Sequence, residues 1–454
     1  MDFLSDHYIF TNCKRLQLGS FPEFLSENSE ISLQKILENC EPGKDIPPDK
    51  IDEIHALWKD LLSDAVIYLK RKDKREFRNA KEEPSPDKVA FGVDDLYKYF
   101  EEYREFEALL YGADRFYRDH IMHVFKVWLI GNWLIEKFNS KIHWDFKKIS
   151  RENSALDISN EEVSAMWCII ALTHDLGYPL DKIEKVRDKI EAMMAYFGGA
   201  GNFGPGFQIP AHHHFINDFI LKFISSKLIP NKESTKKDEE GFFQTAMQSK
   251  YYLKFSKSFE KFDHGIISCI LLMKNLVYFL ESDFDLSNPF TDQEDARQFY
   301  IRREILRAIA SHTCTDIYHL YPNSLAFILI LADELQMSGR PTFSELKIGR
   351  PMLKPCVKIP VISKREIEIV LKVVEEEEEG GGKELFFALC RKWHKWLRGA
   401  LDASRREFVF SFKVEVKSSK GKTKGYNFIN KPYNLVEIYV DDNKDEDLLK
   451  TLYS

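Results

Sequence analysis

The segment MWCIIAL (166–172) runs directly into Thr173, His174 and Asp175. Such an apolar run reads as core, and two ionisable side chains at its end carry a heavy desolvation cost unless a partner offsets it. A chain that puts His174 and Asp175 there must organise its interior around whatever they bind.

The placement recurs. His123 begins HVFKV, His264 opens HGIISCILL, His312 sits in AIASHT, and Asp333 follows LAFILILA. Apolar residues at three and four spacings in HVFKVWLIGNWLIEKF, HGIISCILLMKNLVYFL and EILRAIASH predict a helical domain over 91–345. A lone histidine beside an apolar face is ordinarily a hydrogen-bonded core or helix-end residue. Several in one helical domain point elsewhere, because buried aspartate and neutral histidine are compatible when a divalent cation lies between them. Helical bundles build metal sites from side chains projecting inward on facing helices.

Residues 1–90 mix helical pattern with turn formers and end in the charged run KRKDKREFRNAKEEPSPDK, which predicts an N-terminal helical extension and an exposed connection. Within the central domain, the Gly-rich 196–215 and the polar 232–241 read as loops or lids. After Pro341 the pattern changes. EIEIVLKVV, FVFSFKVEV and NLVEIYVDD alternate as strands do, and KELFFALCRKWHKWLRGAL between the first two predicts a helix. Residues 346–454 are therefore expected as a small C-terminal α+β lobe with a mostly antiparallel sheet, on an otherwise mainly α chain. Glu375–Glu379 and the three glycines after them read as a solvated hairpin or loop.

The 454 residues suffice for two or three domains, with 44% hydrophobic and 30% charged residues and an aromatic-rich interior of 35 Phe and 19 Tyr. A net charge of -7 disfavours general affinity for a phosphate backbone. No stretch approaches the length of a membrane helix, and MDFLSDHYIF lacks a basic start followed by an apolar segment, so a cytoplasmic protein without membrane contact is expected. The seven scattered cysteines form no CxxC pair and are expected as reduced core residues.

The order of these motifs resembles the HD-domain superfamily of metal-dependent phosphohydrolases. HVFKV matches the opening histidine motif, THDLG the defining doublet, and LILADELQ the closing aspartate. FDHGIIS and AIASHT resemble the two additional histidines of the binuclear branch, and the resemblance covers roughly 115–340. It implies an HD-domain helical core in which His123, His174, Asp175 and Asp333 hold one metal, while Asp175, His264 and His312 hold a second, the Asp175 carboxylate bridging. It further implies Mn or Fe; the donor chemistry alone also suits Zn, Co or Ni. The implied activity is hydrolysis of a nucleotide or nucleotide-derived phosphate ester or anhydride by metal-activated hydroxide. The interval from Asp175 to His264 is longer than in compact members, which leaves His213 or a neighbour in the HHH run as an alternative to His264. GYP (177–179) follows the doublet directly, whereas in HD-GYP phosphodiesterases it belongs to a separate downstream motif, so cyclic-dinucleotide hydrolysis is not inferred.

His120 lies one helical turn before His123 and is a candidate acid for the leaving oxygen, with Asp175 the second catalytic candidate. Asp119 is a candidate to orient a ligand imidazole. Lys182, Lys185 and Arg340 are candidate phosphate contacts, and His213 a candidate substrate or metal contact from the AHHHF segment. No Walker loop, nucleophile elbow or dinucleotide fingerprint is present. Two other readings compete: a non-catalytic HD-domain nucleotide-binding regulatory or scaffolding protein, and a single-strand nuclease. A homo-oligomer is compatible with all of them.

Overall fold

The described part of the central region is built of helices packed on one another, and the chain is mainly α. The structure is a computed structural model that describes residues 3–17, 19–71, 91–113, 119–142, 156, 158–196, 211–230, 243–281, 285–290, 292–314, 317, 324–336, 356–363, 366–375, 381–400, 408–418, 423–432 and 435–453. Its helices are α1 (Asp6–Asn12), α2 (Glu27–Glu38), α3 (Ile51–Arg71), α4 (Val93–Ala113), α5 (Ile121–Ile142), α6 (Asn160–Thr173), α7 (Tyr178–Ala195) and α8 (Ala211–Ser225). They continue with α9 (Ser249–Glu260), α10 (His264–Asn275), the single turn α11 (Val277–Leu280), α12 (Gln293–Thr313), α13 (Leu325–Leu335), α14 (Gly381–Ala400) and α15 (Glu446–Tyr453).

Helices α6 and α13 are apolar nearly all round and form the centre. Every residue from Glu162 to Thr173 is buried, and in α13 every residue except Asp333. Helix α6 packs on α3, α5 and α12, and α12 also packs on α10 and α13. Gly131 lets α5 and α6 close, since a Cβ there would lie 1.8 Å from the Trp167 ring. The Trp167 indole donates to Trp128 O at 3.1 Å, and the Trp58 indole of α3 donates to Leu172 O at 2.8 Å, beside His174. A capping box of Ser159 and Glu162 starts α6, and Arg297 of α12 pairs with the same Glu162. In the N-terminal segment the buried Asp6 carboxylate accepts from Ile46 N at 2.9 Å and pairs with Lys126 Nζ at 2.8 Å, one turn beyond His123 on α5.

Strands β1 (Ser226–Pro230) and β2 (Phe243–Met247) form an antiparallel pair unforeseen in the sequence; the polar 232–241 that joins them lies outside the described residues. Of the expected loop 196–215, residues 197–210 lie outside the described set, whereas Ala211 to Phe215 open helix α8. The HHH run is thus a helix start and not a turn, a correction: the three histidines precede the apolar residues Phe215, Ile216, Phe219 and Ile220 at helical spacing.

The C-terminal sheet runs β3 (Cys356–Ile362), β4 (Glu366–Glu375), β5 (Val409–Ser418), β6 (Thr423–Lys431), β7 (Leu435–Val440) and β8 (Asn443–Lys444), in that spatial order. Only β4 and β5 pair in parallel, with α14 as their crossover. Glu375 therefore ends a strand that leads to a helix and not into a hairpin; 376–380 lie outside the described residues. Alternate residues Ile367, Ile369, Leu371 and Val373 are buried in β4, while Phe386 and Trp393 of α14 pack on Phe412. Leu4 N donates to Val357 O at 2.8 Å, joining the N-terminal segment to this lobe. All seven cysteines are free, and all but Cys356 are buried. Among the described residues no helix is long and apolar enough to cross a membrane.

Candidate metal centre

The candidate ligands sit at helix ends. His123 is in the first turn of α5, His174 caps α6, His264 is the first residue of α10, and His312 and Asp333 lie in the last turns of α12 and α13. Two glycines make the convergence possible. A Cβ at Gly265 would meet Ile309 O and Thr313 Oγ1, each at 2.7 Å, so only glycine lets α10 lie this close to α12. A Cβ at Gly177 would come 2.3 Å from His264 O, and Gly177 N donates to Ser268 Oγ at 2.8 Å. The glycine of GYP is thus a packing element between the α6–α7 corner and α10, and Pro179 sits in the first turn of α7.

The two oxygens of Asp175 face different partners. Oδ2 lies 3.4 Å from His123 Nε2 and 3.4 Å from His174 Nε2; Oδ1 lies 3.3 Å from His264 Nε2 and 3.5 Å from His312 Nε2. Asp333 Oδ1 is 3.0 Å from His123 Nε2. Ligand atoms of His123, His174 and Asp333 fall within 4.8 Å of one another, as do those of His174, Asp175 and His312. His264 belongs to neither tight group and meets the cluster at Asp175 Oδ1 and at the His312 ring, whose centroid is 5.0 Å from its own.

No protein-family model matches the chain, and no curated protein or solved structure matches it. What the centre can do therefore rests on its own chemistry.

Each imidazole has its Nδ1 against an acceptor. His174 Nδ1 donates to Ala171 O at 2.9 Å, His312 Nδ1 to Ile309 O at 2.6 Å, and His123 Nδ1 to Gln336 Oε1 at 2.8 Å; His264 Nδ1 is 3.2 Å from Asp181 Oδ2. Because these partners accept and do not donate, each Nδ1 holds a proton, so that in a neutral imidazole of this set the lone pair is on Nε2. Four lone pairs thus point at one carboxylate, an arrangement that repels itself unless a cation or protons lie between. His174 Nε2 and His312 Nε2 are buried without any hydrogen-bond partner. These residues fit a divalent transition metal, and His123, His174, Asp175, His312 and Asp333 could hold one.

The electrostatics agree. Burial, reinforced by neighbouring imidazoles, pushes His174 down to about 3, so it is neutral and free to coordinate. Burial also disfavours charge on His312, but the adjacent Asp175 carboxylate outweighs it and holds His312 above its usual value. Burial raises the Asp175 and Asp333 carboxyls, yet the imidazoles around them prevail, His174 foremost for Asp175 and His123 for Asp333, and hold both below the usual range.

His120 is buried beside the cluster. Its Nε2 is 3.8 Å from Asp175 Oδ2, its Nδ1 is 3.2 Å from the buried Glu107 carboxylate, and its ring centroid is 4.1 Å from that of Tyr178. Asp119 Oδ1 accepts from Met122 N at 2.7 Å, at the start of α5. Lys182 Nζ pairs with Asp181 Oδ2 at 2.6 Å and lies 4.7 Å from the Tyr178 ring centroid, which is in turn 5.3 Å from that of His264. Lys185 and His213 belong to α7 and α8, but their side chains lie outside the described residues, as does all of Arg340. The described chain brings Lys182 and His120 to the cluster. Glu107, Tyr178, Asp181 and Gln336 escaped the sequence reading. Gln336, one turn after Asp333 in LADELQ, carried a usable signal; Glu107 carried none.

Proposed function

We propose that the chain is a metal-dependent phosphohydrolase of the HD type, cleaving a phosphate ester or anhydride of a nucleotide or nucleotide-derived compound. The observation that carries this reading is the division of Asp175, Oδ2 toward His123 and His174 and Oδ1 toward His264 and His312, which suits a carboxylate shared by two cations. His123, His174 and Asp333 would complete one half, and His264 and His312 the other. Mn or Fe is the expected metal, and bound there it supplies a Lewis acid that activates water and offsets charge on the phosphoryl oxygens. Asp175 holds the two halves together. Lys182 would meet phosphoryl oxygens, and His120, held by Glu107, would protonate a leaving oxygen.

The test is metal analysis of anaerobically purified protein followed by a phosphate-release screen over nucleotides. Asp175→Ala should lose bound transition metal and turnover together while keeping its helical circular-dichroism signal; full metal retention would sink the site. His312→Ala should lower the metal-to-protein ratio by about one, since His312 serves only the Oδ1 half. A wild-type ratio of one, unchanged in that variant, would make the centre mononuclear.

A further inference from the structure

His174 and His312 are oriented by their own helices, through carbonyls three residues back at Ala171 and Ile309. His264 cannot be, because it is the first residue of α10 and no helical carbonyl precedes it. It is also the most exposed of the four, its side chain 20% exposed against 2% or less for His123, His174 and His312. Its orientation has to come from another element. The acceptor is Asp181 on α7, whose Oδ2 lies 3.2 Å from His264 Nδ1 and 2.6 Å from Lys182 Nζ. Burial would raise the Asp181 carboxyl, and these two partners hold it below its usual value instead.

We infer that Asp181 is the positioning residue of the Oδ1 half: one carboxylate oxygen fixes the His264 ring for the second cation and stations the Lys182 ammonium for the phosphoryl group. The inference rests on the two-cation reading above and deepens it, tying metal occupancy to substrate recognition through a single side chain. Loss of a carboxylate that orients a ligand imidazole costs roughly 10–100-fold in metal affinity. That cost should fall on the second ion, because the imidazole Asp181 meets, His264, belongs to the Oδ1 half. Removing Lys182 should leave both ions in place and weaken phosphate binding.

The experiment is a Mn(II) titration of full-length, metal-stripped protein, followed by inorganic phosphate binding to the loaded protein. Asp181→Ala should retain the tighter ion and weaken the second by roughly 10–100-fold. Asp181→Asn, which keeps the shape and an acceptor oxygen for His264 but lacks the charge that holds Lys182, should keep more of the second ion than the alanine variant while binding phosphate more weakly than wild type. It serves as the readout if the alanine variant does not fold. In a His264→Ala background, adding Asp181→Ala should change the second ion's affinity less than twofold, and Lys182→Met should bind two ions with weakened phosphate affinity. Wild-type affinity for both ions in Asp181→Ala, or an undiminished further loss in the His264→Ala background, would overturn the inference and leave the metal centre standing. A wild-type protein that takes up no Mn(II) would overturn both.

Discussion

His120 meets a carboxylate on each side, Glu107 at Nδ1 and Asp175 beyond Nε2, and is nearly fully buried between them. Glu107 accepts from the His120 backbone N–H at 2.9 Å as well, so ring and backbone are held by one side chain. An imidazole held in this way is suited to deliver a proton to a departing oxygen. His120→Ala should then keep its metals and slow turnover by roughly a hundredfold, the scale of a lost general acid. The defect should shrink for a p-nitrophenyl ester, whose leaving group needs little protonation, and stay large for an alkyl ester. Equal losses on both esters with metals retained would assign His120 a positioning role, and metal loss in step with activity would make it a ligand. This arrangement of side chains was half legible. His120 announced itself by standing one helical turn before His123. Glu107 is one of several acidic residues on α4 and gains its meaning only from the tertiary contact.

The helices bring the clustered His and Asp side chains together at their ends, which is why those residues could be singled out from sequence: a polar residue opening or closing an apolar run is visible without a structure. The elements that could not be read lack such contrast. Strand β3 contains Pro360 and a register shift between Lys358 and Val361, features of an edge strand that weaken its pattern. Strand β6 carries Gly425, Asn427 and Asn430 among its apolar residues, and β1 and β2 are five residues each. Helix packing was equally silent, since nothing in HGIISCILL states that Gly265 must admit the Ile309 carbonyl. Gly265→Ala should therefore lower unfolding free energy by about 1–3 kcal/mol, as overpacking does, and weaken metal binding by separating His264 from His312. Denaturant titration and a metal assay on the same sample would check this; unchanged values in both would mean that α10 and α12 have room to yield.

At the scale of the whole molecule, the described contacts tie the flanking regions to the central helices without lending the cluster a ligand. Asp6 reaches Lys126 on α5, Trp58 reaches the end of α6, and β3 of the C-terminal lobe meets the chain at Leu4. A chain ended at Pro341 keeps Asp333 and Gln336 and should bind metal at the full ratio if soluble, although Phe3 and Leu4 lose their partners on β3. A soluble truncated protein without metal would show that the lobe completes the centre. Helices α6 and α12 are tied twice, by Arg297 with Glu162 near their starts and by the Asp175 cluster around His174 and His312 at their ends. Between two such ties, residue count becomes an angle. One alanine inserted after Phe299 would leave Arg297 in place yet turn everything beyond it by about 100° and advance it by about 1.5 Å. His312 would then point away from Asp175 in a helix as long and as helical as before. Metal content should fall while circular dichroism holds, and retained metal would mean that α12 absorbs the insertion as a local bulge. The span from Arg297 to His312 should thus act as a phase, its number of residues fixing the direction in which His312 faces.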